Sequence, residues 1–163
     1  MLAPLCLDSP AMIDSPRFAV LDDLAAIEAL VADAYRDYIP RLGRKPGPML
    51  DDYGPRIRAG QVYVQADGPL IQALLVLINE APVMLLDNLA VAPAFQGRGL
   101  GRALLRFAET VALQAGCSSM RLYTNEAMTE NIAIYRRAGY QQTHRAQANG
   151  LRRVYMSKAL AAD

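Results

Sequence analysis

The stretch Leu86-Asp87-Asn88-Leu89-Ala90-Val91-Ala92-Pro93-Ala94-Phe95-Gln96-Gly97-Arg98-Gly99-Leu100-Gly101-Arg102-Ala103-Leu104-Leu105 decides the fold, because two periodicities meet inside it. Val83 to Val91 reads as a strand. Downstream, Leu100, Leu104, Phe107, Ala108, Val111 and Ala115 recur at helical spacing, and Gly116 stops the run. Three glycines between Gln96 and Gly101, directly after a strand and opening a helix, gather backbone N–H groups at the positive end of that helix. A phosphate is the expected guest. Any Cβ there would hold a pyrophosphate away from the peptide plane, while Arg98 and Arg102 add charged donors. A glycine-rich connection without a ligand would carry the same three residues, so context has to decide.

Two common phosphate loops do not fit. A dinucleotide fingerprint needs Gly-x-Gly-x-x-Gly in a first βαβ unit and an acid about 20 residues on. Here the pattern is Gly-x-Gly-x-Gly after a run of strands, and Gly116 to Ser119 holds no acid. A P-loop needs Gly-Lys-Ser/Thr, whereas Gly101 is followed by Arg102-Ala103.

Working outward, Arg17 to Val20 is a short expected strand, followed by Asp22 and Asp23 where a helix start belongs. Leu24, Ile27, Val31, Ala34, Tyr35 and Tyr38 then recur at three- and four-residue steps, so this helix is expected to run up to Pro40. Arg41 to Pro48 reads as a basic loop and Met49 to Ala59 as a second, short helix. Gln61 to Ala66, Leu70 to Ile78 and Val83 to Val91 form three strands with connections short enough to force antiparallel neighbours. After the glycine loop and its helix come a strand at Met120 to Thr124 and a helix at Thr129 to Ala138. Two final strands, Tyr140 to Gln147 and Leu151 to Lys158, flank Asn149-Gly150, a strong hairpin signal. The class is mixed α/β, a central, mostly antiparallel twisted sheet covered by helices.

Composition bounds the function. The 163 residues suit one domain, with 53% hydrophobic and 20% charged residues, a balance that excludes disorder. Seventeen Lys+Arg against sixteen Asp+Glu give a formal charge of +1, so no global field holds nucleic acid or an anionic membrane. Cys6, Cys117 and the single His144 cannot supply a clustered metal site, and His144 in a terminal strand reads as structural or exposed. Residues 1–16 read as a flexible arm; they lack the basic start of a secretory signal, and a cytoplasmic location is expected.

The quoted stretch resembles the core motif of the GNAT N-acetyltransferase superfamily, whose Arg/Gln-x-x-Gly-x-Gly/Ala loop holds the pyrophosphate of acetyl-CoA. Asn131-Ile132-Ala133-Ile134-Tyr135-Arg136-Arg137-Ala138-Gly139-Tyr140 is similar to that family's second signature. The resemblance covers roughly Arg17 to Leu160 and implies a single acetyltransferase domain over 17–163, with about seven strands and about four helices. Many members carry Asn seven residues before the tyrosine, where this chain has Met128.

The resemblance implies a set of roles. Acetyl-CoA is the expected co-substrate, its pantetheine arm beside Leu89, Ala90 and Val91, its diphosphate on Gln96, Gly97, Arg98, Gly99, Leu100, Gly101 and Arg102, with Asn131 a further contact. The N–H near Val91 is the expected donor to the thioester oxygen. Deprotonating a lysine-like amine at neutral pH costs roughly 4.6 kcal/mol, and Asp87 matches the position of a family base; an Asp at a strand bulge is the alternative. Tyr135 aligns with the tyrosine that protonates the leaving thiolate, a transfer uphill by about 2 kcal/mol; the alternative is a core tyrosine. The acceptor is expected to be a small-molecule amine contacting Tyr35, Tyr38, Arg41, Asp52, Tyr53 and Asn125, with Asp52 facing its ammonium and Arg41 or Arg44 a carboxylate. Thr124, Glu126, Arg152 and Arg153 are further candidates. Transfer is expected to be direct, since no Ser-His-Asp set surrounds His144 and no cysteine is placed near the thioester. A non-catalytic acyl-CoA sensor and transfer of a longer acyl group are the competing readings, and the Asn149-Gly150 hairpin offers a homodimer interface.

Overall fold

The computed structural model describes residues 15–161, so the arm expected over 1–16 lies almost wholly outside it. In chain order the elements are β1 (Arg17–Phe18), α1 (Leu24–Tyr35), α2 (Tyr38–Leu42), α3 (Tyr53–Arg58), β2 (Val62–Asp67), β3 (Leu70–Glu80) and β4 (Val83–Val91). Then follow α4 (Leu100–Gln114), β5 (Ser119–Asn125), α5 (Thr129–Arg137), β6 (Gln141–Ala148) and β7 (Leu151–Ala159). The strands form one sheet in the order β1-β2-β3-β4-β5-β7-β6, antiparallel throughout except for the parallel pair β4 and β5.

Five helices appear among the described residues where about four were expected. Pro40 does not end the first helix. The chain breaks after Tyr35, and Pro40 becomes the third residue of α2, where a missing N–H costs no intrahelical bond. The helix expected from Met49 begins instead at Tyr53. Asp52 caps it, a side-chain oxygen accepting the Gly54 N–H at 3.2 Å, and Gly47–Met49 forms a single 3-10 turn. At the far hairpin Asn149 (φ 52°) and Gly150 (φ 74°) both take the left-handed conformation that a tight two-residue turn requires.

The sheet is covered on both faces. Leu104, Ala108 and Ala112 of α4 pack on Leu75, Leu77, Met84, Leu86, Met120 and Leu122, while Ile27, Leu30 and Val31 of α1 pack on Val64, Leu74 and Val76. Leu70 to Ile78 is almost unbroken apolar sequence because β3 lies between these two layers.

One irregularity organises the centre. The register steps from Val76 opposite Asn88 to Leu77 opposite Leu86, which makes Asp87 the extra residue of a β-bulge in β4. Met84 and Leu86, before it, belong to the α4 side; Ala90, after it, belongs to the α1 side. At the same place β4 parts from β5. Their pairing covers only Val83–Leu86 against Ser119–Leu122, although β4 continues to Val91 and β5 to Asn125.

Leu104, 1% exposed, is the centre of the α4 contact. Leu104→Ala is expected to cost about 2–5 kcal/mol, read as a lower urea midpoint at unchanged slope.

Candidate active site

Gly97 (φ +77°) and Gly99 (φ +82°) hold the loop before α4 in a conformation that side chains disfavour, and a Cβ on either would meet nothing within 4 Å. Backbone geometry, not crowding, therefore demands glycine, and the space in front of the loop is open. Gly99 is the N-cap residue of α4, and no side chain caps the helix, so its first N–H groups point into that space. Arg98, over the Phe95 ring at 5.2 Å, and Arg102 are exposed beside it. The Gln96 amide donates to the Val91 carbonyl at 3.1 Å and ties the loop to β4.

The open side of β4 continues this surface. Ala92 N–H donates to Gln72 O on β3 at 2.9 Å, so strand alternation turns the N–H groups of Val91 and Leu89 toward the side that β5 has left. An extended chain can pair there, with a phosphate at its end on the helix N-terminus. The residues present thus fit a diphosphate-bearing ligand with an extended arm.

At the wide end of the divergence lies a cavity of about 360 Å³, lined by Asp87, Leu89, Tyr35, Tyr135, Asn125 and Asn131 together with residues of the α2–α3 loop and the β6–β7 turn. Its roof is tied down twice. Arg44 donates to the Asn149 carbonyl at 2.6 Å, and Arg41 forms a two-pronged pair with Glu130 at 2.8 and 2.9 Å.

Four residues named from the sequence as acceptor contacts lie outside the lining. Arg41 is occupied by Glu130 and stacks on Tyr38, its guanidinium 5.2 Å from the ring centre. Asp52 is spent on the α3 cap, and its neighbour Asp51 lines the cavity instead. Tyr53 is buried. Its hydroxyl donates to Pro48 O at 2.7 Å and accepts the Asn88 amide at 3.0 Å, and Asn88 in turn accepts the Tyr35 hydroxyl at 2.5 Å. Burial pushes the Tyr35 phenol well up and raises Tyr53 too, with Asp51 adding to the latter. These neutral tyrosines with Asn88 form a rigid floor under the site. His144 is exposed and stacked on Tyr155 at 4.3 Å, away from the cavity.

Asp87, its side chain only 7% exposed, pairs with Arg56 at 3.2 Å, and the Tyr123 hydroxyl donates to its Oδ1 at 3.5 Å. Asp51 lies 4.0 Å from the same guanidinium; desolvation, reinforced by Asp87, holds its carboxyl above the usual value. Across the cavity burial pushes the Tyr135 phenol up to about 12, with Tyr38 adding to the effect. Arg56, Tyr123 and Asn88 escape sequence reasoning, because each owes its place to a contact between elements distant in the chain. Among the described residues no group of three or more metal-ligating side chains occurs, and no helix is long and apolar enough to cross a membrane.

The model of the acetyltransferase (GNAT) family matches residues 27–140. The chain belongs to this family. No curated protein matches its sequence. Among solved structures it is similar to PaiA N-acetyltransferase from Thermoplasma acidophilum in complex with coenzyme A, with 15% identity over 89% of this chain and 98% of that one and a TM-score of 0.74. It is similar too to the ribosomal-protein-S18-alanine N-acetyltransferase from Escherichia coli, with 16% identity over 91% and 95% and a TM-score of 0.70. A third, yncA from Salmonella typhimurium with its cofactor acetyl-CoA, gives 19%, 91%, 95% and 0.67. These likenesses show the GNAT fold, and the family match makes the chain an acetyltransferase.

Removing the Asn88 side chain of this GNAT site takes away the acceptor 2.5 Å from the Tyr35 hydroxyl and the amide that donates to the Tyr53 hydroxyl. Asn88→Ala is expected to cost about 1–3 kcal/mol, seen as a lower melting temperature.

Proposed function

We propose that the protein transfers an acetyl group from acetyl-CoA to the primary amine of a small molecule, directly within a ternary complex. The observation that carries this reading is the parting of β4 from β5 at Asp87, between an open glycine loop and a roofed cavity. Gln96 to Arg102 would hold the diphosphate, Leu89 to Val91 the arm, and Asn131 a neighbouring stretch. The bound co-substrate supplies the acetyl group as a thioester and leaves as a thiol.

Asp87 is the base. Arg56 orients its carboxylate, and the Asp87 side chain lies at the wall where an amine would enter. It takes one proton from the ammonium, directly or through a water, so that the nitrogen lone pair can form the new C–N bond. The Val91 N–H, aimed into the gap, donates to the carbonyl oxygen as charge grows there. Tyr135 gives its hydroxyl proton to the departing sulfur, and solvent restores both side chains to their starting states. A raised phenol keeps Tyr135 protonated and available, at the cost of a steeper transfer that a hydrogen bond formed at the sulfur offsets.

A small acceptor, as against a protein chain, is favoured by the roof. Arg44 on Asn149 closes one side of a cavity whose 360 Å³ suits a small molecule, and Arg41 on Glu130, outside the lining, ties α2 to α5 behind it.

The decisive experiment is an amine panel with acetyl-CoA and thiol detection. With an accepted amine, Asp87→Asn and Tyr135→Phe are each expected to lower kcat by roughly 10²–10⁴-fold while the coenzyme A Kd stays within a factor of about two. Because the phenol at Tyr135 lies near 12 in place of 10.0, kcat/KM should show no fall from loss of this proton up to pH 10. Full activity in both variants, or an alkaline fall abolished by Tyr135→Phe and centred near 10, would refute these roles.

A further inference from the structure

The acids of the cavity are already shared with one guanidinium. Asp87 and Asp51 both face Arg56, at 3.2 and 4.0 Å. What remains on the wall is cationic: Arg44, Lys45 and Arg153. Arg44 is bound to a carbonyl oxygen in the roof, and Lys45 is exposed on the loop beside it.

Arg153 is different in kind. It stands on β7 opposite Asn125 of β5, half-buried, with its guanidinium carbon 4.1 Å from the centre of the Tyr123 ring. Among the described residues no carboxylate pairs with it, whereas its neighbour Arg152 meets Glu126 at 3.2 Å. A half-buried cation without an acid has lost hydration that the ring face in part replaces, and contact with a ring face uses none of the guanidinium N–H donors in hydrogen bonds to an acceptor atom. Tyr123 also links this cation to the reacting end. The ring that supports Arg153 carries the hydroxyl that donates to Asp87. One side chain thus fixes a carboxylate base and an unpaired, planar, forked donor on the same wall.

We infer that the acceptor is an amine that also carries a carboxylate, and that Arg153 is the residue that selects it, gripping the carboxylate while the amine faces Asp87. Lys45 adds positive potential at the entrance. The position of the amine rests on the acetyl transfer proposed above; the carboxylate site stands on the geometry of Arg153 alone. The carboxylate is preferred to a phosphate because one forked cation matches one planar monoanion.

The test uses matched probes on the full chain saturated with coenzyme A: γ-aminobutyrate against propylamine, ornithine against putrescine, and phosphoethanolamine against ethanolamine. Binding is followed by calorimetry in that complex, and turnover is followed separately by thiol release with acetyl-CoA in place of coenzyme A. In the wild type the better carboxylated amine is expected to bind at least roughly tenfold tighter than its decarboxylated partner. Arg153→Met should bring its affinity down to that of the partner, and Arg153→Lys, which keeps charge without the fork, should retain part of the preference. Coenzyme A affinity should not move in either variant, which also reports that the fold persists.

Equal binding within both carboxylate pairs, no binding of any probe, a selective response to phosphoethanolamine, or an Arg153→Met variant that keeps the preference would each overturn the inference. Turnover of amines with no carboxylate preference overturns it while leaving acetyl transfer intact. Carboxylate-dependent binding lost in Arg153→Met but unaccompanied by thiol release supports the Arg153 site and removes the transfer reaction.

Discussion

The structure depends on one extra residue in its central strand. Asp87 has no partner on β3, and the step it introduces reverses which face each later β4 side chain meets. It is also where hydrogen bonding to β5 stops. A regular strand would have paired with β5 to its end and closed the sheet. The bulge instead frees backbone donors along Leu89 to Val91 and sets a carboxylate at the apex of the gap. A defect in the ladder thus creates both an open groove beside β4 and the position of the carboxylate at its apex.

That carboxylate needs support, and the surrounding layers supply it. Asn88, next in the chain, turns to the α1 face and is held between Tyr35 and Tyr53, so the floor beneath the bulge is a closed set of hydrogen bonds. Arg56 reaches over from α3 and prevents Asp87 and Asp51 from facing each other uncompensated. Tyr123 approaches from β5 on the far side of the gap. Asp87 is therefore held by side chains of two elements, α3 and β5, that meet it only in the folded chain. The charged residues of α2 and its following loop do a different task, tying helix α5 and the β6–β7 turn into a roof.

Some of this is legible residue by residue. The glycines at 97 and 99 form the turn expected between strand and helix, Asn149-Gly150 makes its tight turn, and the stripe Leu100, Leu104 and Ala108 is buried. Such features depend on neighbours within a few positions, so local spacing records them. Pro40, read by the same local rules, and Asp52, read from the resemblance, came out otherwise. Proline is tolerated in a first turn as well as beyond a last one, and an Asp before a short helix can cap it as readily as face a ligand. Both alternatives obey the same chemistry, and packing chose between them.

By itself the sequence determined the order of elements apart from α2, the two-faced sheet and the glycine loop, because hydrophobic periodicity and backbone conformation are properties of short segments. Only the tertiary structure decided that Arg56 and Tyr123 should hold Asp87, that Asn88 should lock two tyrosines, and that Arg153 should stand on the cavity wall with no carboxylate paired to it among the described residues. Each of these is a contact between residues far apart in the chain. Its existence depends on sheet register and on the single bulge, which no local pattern encodes.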